Sequence, residues 1–292
     1  MKNLIVNLGP LGDVVRTTVL LRQLNGENYW LTKKKCKDVL NSKKIKKTFF
    51  FDNESDLEEL LKHKFDLLIS LNEESEALNI VKNLKYEKLI GIYYNSNGEI
   101  DYTPESRYWF DMSLSSKFGK ENADKLKMMN CKSYPQILIE MVGGLWDEQE
   151  YDLGIPSKKI KGKIGLIKEV TGIWKNKGWA FYDDLKDKLE LEGYAVDFLG
   201  LKQTVREHID DINNCEIVIC GDTLGMHLAL ALNKKIVTIF NCTSANEIHD
   251  YGRLTKVVSP FCEKYFYKTG LNNEAIRAVS LEEVYKTFKK LV

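Results

Sequence analysis

At 292 residues, 43% hydrophobic and 29% charged, the chain can bury one large core or, by default, two ordinary ones. A formal net charge of +1 gives no global field to draw in nucleic acid or a membrane surface, so any charge argument has to be local. No apolar run approaches the roughly 20 residues needed to span a bilayer, and no small-residue cleavage site follows MKNLIVNLG, so a cytoplasmic protein is expected.

In chain order, LIVNL predicts a strand and the segment from about Asp13 a helix. NYWLT then precedes a short lysine-rich helix, TFFF a helix from about Ser55, DLLISL a helix from about Glu74, and KLIGIYY closes the series. Strands alternating with amphipathic helices predict a doubly wound, mainly parallel sheet. From Asn95 to about Tyr134 the alternation breaks, and RYWFDMSLSSKFG reads as a helical insertion with a mixed aromatic and charged surface. YPQILIEMVGGLW predicts a helix ending in glycines, and the turn-rich YDLGIPSKKIKGK a linker.

Alternation resumes at KIGLI. A helix over WAFYDDLKDKLELEG stops at Gly193, and the strand YAVDFLG leads to a helix around Val205 to Asn213. EIVIC, TLGMHLALALN and KKIVTIF follow as strand, helix and strand, and LEEVYKTFKKLV is a terminal amphipathic helix. The expected architecture is α/β, with two Rossmann-like domains, 1–155 and 156–292, whose mainly parallel sheets face each other across a cleft.

Three segments could carry chemistry. In NLGPLGDVVRTTVLLRQL the turn lacks the third glycine of G-x-G-x-x-G and the Lys-Ser/Thr pair of a P-loop, which weakens dinucleotide and triphosphate readings. Gly9 and Gly12 would permit close backbone approach there, and Asp13 at the helix start is either an N-cap or a general base. In ICGDTLGMHLALAL, the amides after Gly221 and the hydroxyl of Thr223 sit at a helix amino terminus, where phosphate is readily held. His227 on that apolar helix is, by periodicity, more often a core residue. In TGIWKNKGWAFYDDL, Lys175 and Lys177 are either solvated loop lysines or cations for an anionic leaving group.

The chain contains no D-x-D pair to hold a divalent ion against a nucleotide diphosphate. Its six cysteines, Cys36, Cys131, Cys215, Cys220, Cys242 and Cys262, show no C-x-x-C spacing, so free thiols and no metal or other cofactor are expected. The runs KKKCK and KKIKK place a basic surface on the first half, which admits a peripheral membrane-surface contact at the inner face.

Together, in this order and spacing, the three segments resemble the bacterial heptosyltransferase family of glycosyltransferases over most of the chain. The matching residues are LGDVVRTTVLLRQL, with Val19 where the family has proline, Lys177-Gly178-Trp179, and DTLGMHLALAL, with Leu224 at the usual glycine place. The resemblance implies a GT-B fold and metal-independent, inverting transfer of heptose from ADP-heptose to a glycan, glycolipid or protein acceptor, commonly the inner core of lipopolysaccharide. It implies Asp13 as the base, with Gly9, Gly12, Arg16 and Thr17 on the acceptor side. It puts Lys175 and Lys177 with Gly221, Asp222, Thr223, Leu224, Gly225 and His227 on the donor side. Nucleic acid is not among the expected partners. A nucleotide-sugar epimerase or a non-catalytic nucleotide-sugar-binding or assembly protein are the alternatives, and the altered DTLGMH segment favours the second.

Overall fold

Leu4, Ile5 and Val6 are completely buried in strand β1 (Lys2–Val6), as a strand must be when it is flanked by parallel neighbours and covered on both faces. The computed structural model describes residues 1–200 and 202–292, which form two compact units, Met1–Ile155 and Pro156–Val292.

In the first unit, β1 leads into α1 (Leu11–Thr17), which tightens into a 3₁₀ turn at Thr18–Arg22. β2 (Glu27–Thr32), β3 (Ile45–Phe50), α2 (Glu54–Leu60), β4 (Lys64–Ser70), α3 (Ser75–Asn83) and β5 (Lys85–Tyr94) continue the alternation. The lysine-rich helix expected after β2 is a 3₁₀ segment, Lys34–Val39, with Cys36 and Val39 buried and the lysines outward. The sheet order is β3-β2-β1-β4-β5-β6, and all pairs are parallel except the last, in which Ile92 to Tyr94 of β5 pair with the short β6 (Ile100–Tyr102). The chain runs outward from β1 in one direction, returns to β4 and runs outward in the other, so the crevice between the carboxyl ends of β1 and β4 is a topological switch point.

The expected mixed aromatic and charged surface of the 95–134 segment is met only in part, because Tyr108 and Phe118 are exposed but other rings turn inward. After β6 come α4 (Arg107–Phe110), α5 (Lys120–Met129) and α6 (Tyr134–Met141), and Trp109, Phe110 and Tyr134 are buried. The helical reading holds at Arg107–Phe110, but a single turn has no countable buried face, and its Trp109 and Phe110 rings are drawn inward by the large apolar area they remove from water.

In the second unit every strand is parallel. Its elements are β7 (Lys163–Ile167), α7 (Tyr182–Leu191), β8 (Ala195–Phe198), α8 (Val205–Asn213), β9 (Ile217–Gly221), α9 (Leu224–Ala231), β10 (Lys235–Phe240), β11 (Leu254–Val258), α10 (Asn273–Arg277) and α11 (Leu281–Lys289). The order is β11-β10-β9-β7-β8, which places a second switch point between β9 and β7. α8 starts with a reciprocal cap, the Thr204 hydroxyl accepting from the Glu207 amide and the Glu207 carboxylate from the Thr204 amide. β6, β11 and α10, which carried no strong periodic signal, were not expected from the sequence. No helix among the described residues is long and apolar enough to cross a membrane.

Candidate active site

The residues singled out from the sequence collect at the two switch points. In the first unit, Asn7 at the end of β1 stitches the turn: its Nδ2 donates to Thr17 Oγ1 at 2.9 Å and its Oδ1 accepts from the Gly9 amide at 3.0 Å. Asn72, just beyond β4 on the other side of the switch point, accepts from the Leu8 amide and donates to Glu74 at 2.8 Å. A β-carbon on Gly9 would lie 3.1 Å from Asn7 Oδ1 and 3.4 Å from Asn72 Nδ2. Gly9 therefore makes room for two asparagines that sequence reasoning missed, since an asparagine after a strand gives no signal until the turn closes on it.

Asp13 does not cap α1. Pro10 is the cap residue and makes no side-chain bond, while Asp13 lies in the first turn with its amide donating to Pro10 O at 2.9 Å. Its carboxylate is 38% exposed and meets Arg16 Nη2 at 2.8 Å one turn further on. The capping alternative is thus replaced by an Asp–Arg pair on the outer face of the helix, with the carboxylate reachable from solvent. Thr17 is fully buried and donates to the Asp13 carbonyl at 2.7 Å, so it supports the turn from behind. Gly12 occupies the helix position before Asp13.

In the second unit, the loop after β7 crosses the switch point and ends in a 3₁₀ turn, Lys175–Lys177. Buried Asn176 accepts the Asn272 amide at 2.7 Å, Asn241 Nδ2 donates to Gly178 O at 2.6 Å, and Trp174 stands edge-on to Tyr267 with ring centroids 5.5 Å apart. So held, Lys177 reaches Asp222 Oδ2 at 3.2 Å, with the two side chains only 21% and 13% exposed. Lys175 lies apart from this pair, exposed and donating to Val170 O at 3.2 Å.

The glycines here have different duties. A β-carbon on Gly221 would sit 2.5 Å from the Lys177 carbonyl oxygen, so the missing side chain lets the lysine loop lie on the end of β9. One on Gly225 would sit 2.3 Å from Ile167 Cδ1, so Gly225 serves the packing of α9 on β7. Leu224 is the first residue of α9, half-buried.

Burial alone pushes the Asp222 carboxyl up, but the Lys177 ammonium, the His227 ring and the Thr243 hydroxyl together hold it down, to about 2. His227 Nε2 is 3.9 Å from Asp222 Oδ1, so the ring is both buried and part of the cluster. The buried Thr223 hydroxyl at the α9 amino terminus and the buried Asn241 side-chain oxygen beyond β10 have no hydrogen-bond partner among the described residues. A half-buried cation, a helix amino terminus and unsatisfied polar atoms at one sheet edge form a surface suited to an anion bearing hydroxyls.

All six cysteines are free. Burial pushes the Cys220 and Cys242 thiols up to about 12 and that of Cys215 to about 11, so they stay protonated at neutral pH and act as small hydrophobes. Among the described residues no three His, Cys, Asp or Glu side chains converge so as to hold a metal ion.

Residues 180–269 match the model of Glycosyltransferase family 9 (heptosyltransferase). Among solved structures, a glycosyl transferase family 9 protein from Veillonella parvula is 16% identical with a TM-score of 0.70, covering 99% of this chain and 96% of its own. E. coli heptosyltransferase WaaC with ADP-2-deoxy-2-fluoro heptose is 12% identical with a TM-score of 0.67, all of both chains being covered. E. coli ADP-heptose lps heptosyltransferase II is 12% identical with a TM-score of 0.65, covering 100% of this chain and 98% of its own. The comparison with curated proteins finds no match. The chain thus resembles, in the GT-B fold of its two units and in the sequence of residues 180–269, the heptosyltransferases of glycosyltransferase family 9.

Proposed function

We propose that this protein is an inverting, metal-independent glycosyltransferase that moves a sugar, heptose from ADP-heptose in the favoured case, to a glycan, glycolipid or protein acceptor. The observation that carries the reading is the Lys177–Asp222 pair beside the unsatisfied Thr223 hydroxyl at the amino terminus of α9. On this reading the donor diphosphate lies against Lys177 and the first amides of α9, and Asp222 turns to the sugar hydroxyls as the phosphates take over its cation. Positive charge fixed where the leaving group develops its negative charge lowers the barrier without reorganisation during the step.

Asp13 is the base in this reading. As the acceptor oxygen attacks the anomeric carbon, its proton passes to the Asp13 carboxylate while the bond to the diphosphate breaks and the electron pair leaves with the diphosphate. One displacement inverts the anomeric centre. The match of residues 180–269 to the heptosyltransferase model and the ADP-heptose analogue named with one structural neighbour support the donor class. The exposed lysines of the 33–47 segment support an acceptor at an anionic membrane surface on the cytoplasmic side.

A thermal-shift screen against ADP-, UDP-, GDP- and CMP-sugars tests the donor: stabilisation by ADP-heptose and ADP is expected, and stabilisation only by another nucleotide class rejects it. Substituting Gly221→Ala, which forces the Lys177 carbonyl away, is expected to weaken ADP binding about tenfold in calorimetry, in line with the cost of displacing one charge-assisted contact. Unchanged affinity would show that the loop tolerates the extra methyl. The alternative of a non-catalytic binder rests on Leu224 at the start of α9 and requires ADP-heptose to bind without ADP being released.

A further inference from the structure

The segment between β5 and α6 interrupts the alternation of the first unit, and one of its buried rings, Trp109, converges with Tyr134 at the start of α6 on one side chain of α1. Arg16 Cζ lies 3.8 Å from the centroid of the Tyr134 ring and 5.6 Å from that of Trp109, and the two rings meet edge to face at 4.6 Å. The Lys127 ammonium lies 4.9 Å from the Trp109 centroid, so the pair of rings holds two cations. Tyr134 is fixed in turn: it is the first residue of α6, capped by Ser133 accepting from the Gln136 amide at 3.3 Å, and α6 packs on α1.

An arginine on the outer face of a helix ordinarily samples many rotamers, and a carboxylate paired to it shares that freedom. Here the guanidinium sits over an aromatic ring at 3.8 Å from its centroid, a contact its planar, weakly hydrated group favours over a lysine ammonium. The side chain is only 13% exposed, and its Nη2 is set on Asp13 Oδ1 at 2.8 Å. The order of control therefore runs from Trp109 and Tyr134 to Arg16, and from Arg16 to the Asp13 carboxylate.

We propose that Trp109 and Tyr134 are positioning residues for transfer, gripping Arg16 so that it holds the Asp13 carboxylate in one orientation for the acceptor hydroxyl. The inference rests on the reading of Asp13 as the base. It gives the 95–134 segment a task in the reaction, distinct from surface decoration. The proton still moves from the acceptor hydroxyl to Asp13, and neither ring nor Arg16 exchanges a proton.

The test measures ADP release from ADP-heptose into water, because a base that serves an acceptor hydroxyl also serves a water molecule. Tyr134→Leu and Arg16→Met are each expected to lower kcat about 10- to 100-fold, the scale of a misplaced catalytic group, with ADP affinity by calorimetry unchanged. Tyr134→Phe keeps the ring face and is expected to stay within about twofold of the parent. In the double variant the losses should not add, since both act through one contact. Arg16→Lys, which keeps the charge but not the planar guanidinium, supplies an independent arm and is expected to lose about tenfold with ADP affinity unchanged.

Additive losses in the double variant, or full activity of Arg16→Lys, would overturn the proposal. Failure of the parent protein to bind ADP or release it from ADP-heptose would reject the underlying reading and this inference with it. Release shared equally by the parent and all variants would reject the positioning role alone.

Discussion

Substituting Asp13→Asn, which keeps the shape and removes the charge, is expected to lower kcat for transfer by about 10²- to 10⁴-fold, the contribution typical of a positioned general base. ADP affinity should remain within about twofold, because the carboxylate belongs to the first unit and the proposed anion cradle to the second. The carboxylate is 38% exposed and pairs with Arg16 on its own helix, so melting should shift by no more than a few degrees. Asp13→Ala serves as the second variant, with the same result expected. A fall in ADP binding with unchanged turnover at saturation would remove Asp13 from the role of base.

The second large effect is expected at Lys177. Lys177→Met keeps the length of the side chain and removes its charge, leaving Asp222 nearly buried with His227 and Thr243 as its remaining partners. Breaking such a pair from one side costs about 3 kcal/mol, at the lower end for buried pairs because both groups keep some contact with solvent. ADP affinity should fall about 30- to 100-fold, equivalent to a lost charge-assisted contact of about 2–3 kcal/mol. Lys177→Met combined with Asp222→Asn should recover most of the stability and none of the affinity. Recovery of both would mean that the lysine is a structural partner only.

The sign of the pH dependence follows from Asp222. Its carboxyl is held at about 2 in the folded chain, below the roughly 3.9 of an ordinary aspartate, so the pair stabilises the fold above about pH 4 and the contribution fades as pH falls through about 2. In Lys177→Met the burial that pushes this carboxyl up is less opposed, so acidification relieves the variant while it weakens the parent. The gap in unfolding free energy between the two should therefore narrow from pH 4 downwards. A gap independent of pH would show that the destabilisation comes from packing around the new side chain.

Much of the fold was legible in advance. β1, β2, β4, β7, β9 and β10 follow from runs such as LIVNL and EIVIC, because a parallel strand covered on both faces needs continuous apolar side chains whatever its neighbours are. The helix expected around Val205 to Asn213 is present, and the structure adds the reciprocal cap of Thr204 and Glu207 at its start. The inward turn of Trp109 and Tyr134 was not legible, since no buried face can be counted in the four residues of α4.

The site divides in the same way. Asp13, Lys177 and Thr223 could be named from local motifs, because tight turns between strand and helix place side chains at the carboxyl edge of a sheet, whereas Asp222 and His227 were named as site residues only through the family resemblance. What each residue touches was settled by tertiary structure. Asp13 pairs with Arg16 where a cap was one of the two readings, Lys177 meets Asp222 across the β7–β9 switch point, and Gly221 yields its space to a carbonyl 44 positions earlier in the chain. Strand order, and with it every contact between distant loops, depends on which strands pair, a choice made by the summed packing of the whole sheet. Sequence alone therefore determined the alternation, the two-unit division and the residue types at the turns. Only the folded chain decided that Asn7 and Asn72 lock the first turn, that Trp109 and Tyr134 contact Arg16, and that Gly221 admits the lysine loop while Gly225 serves packing, because long-range contacts leave no periodic trace in the residues that make them.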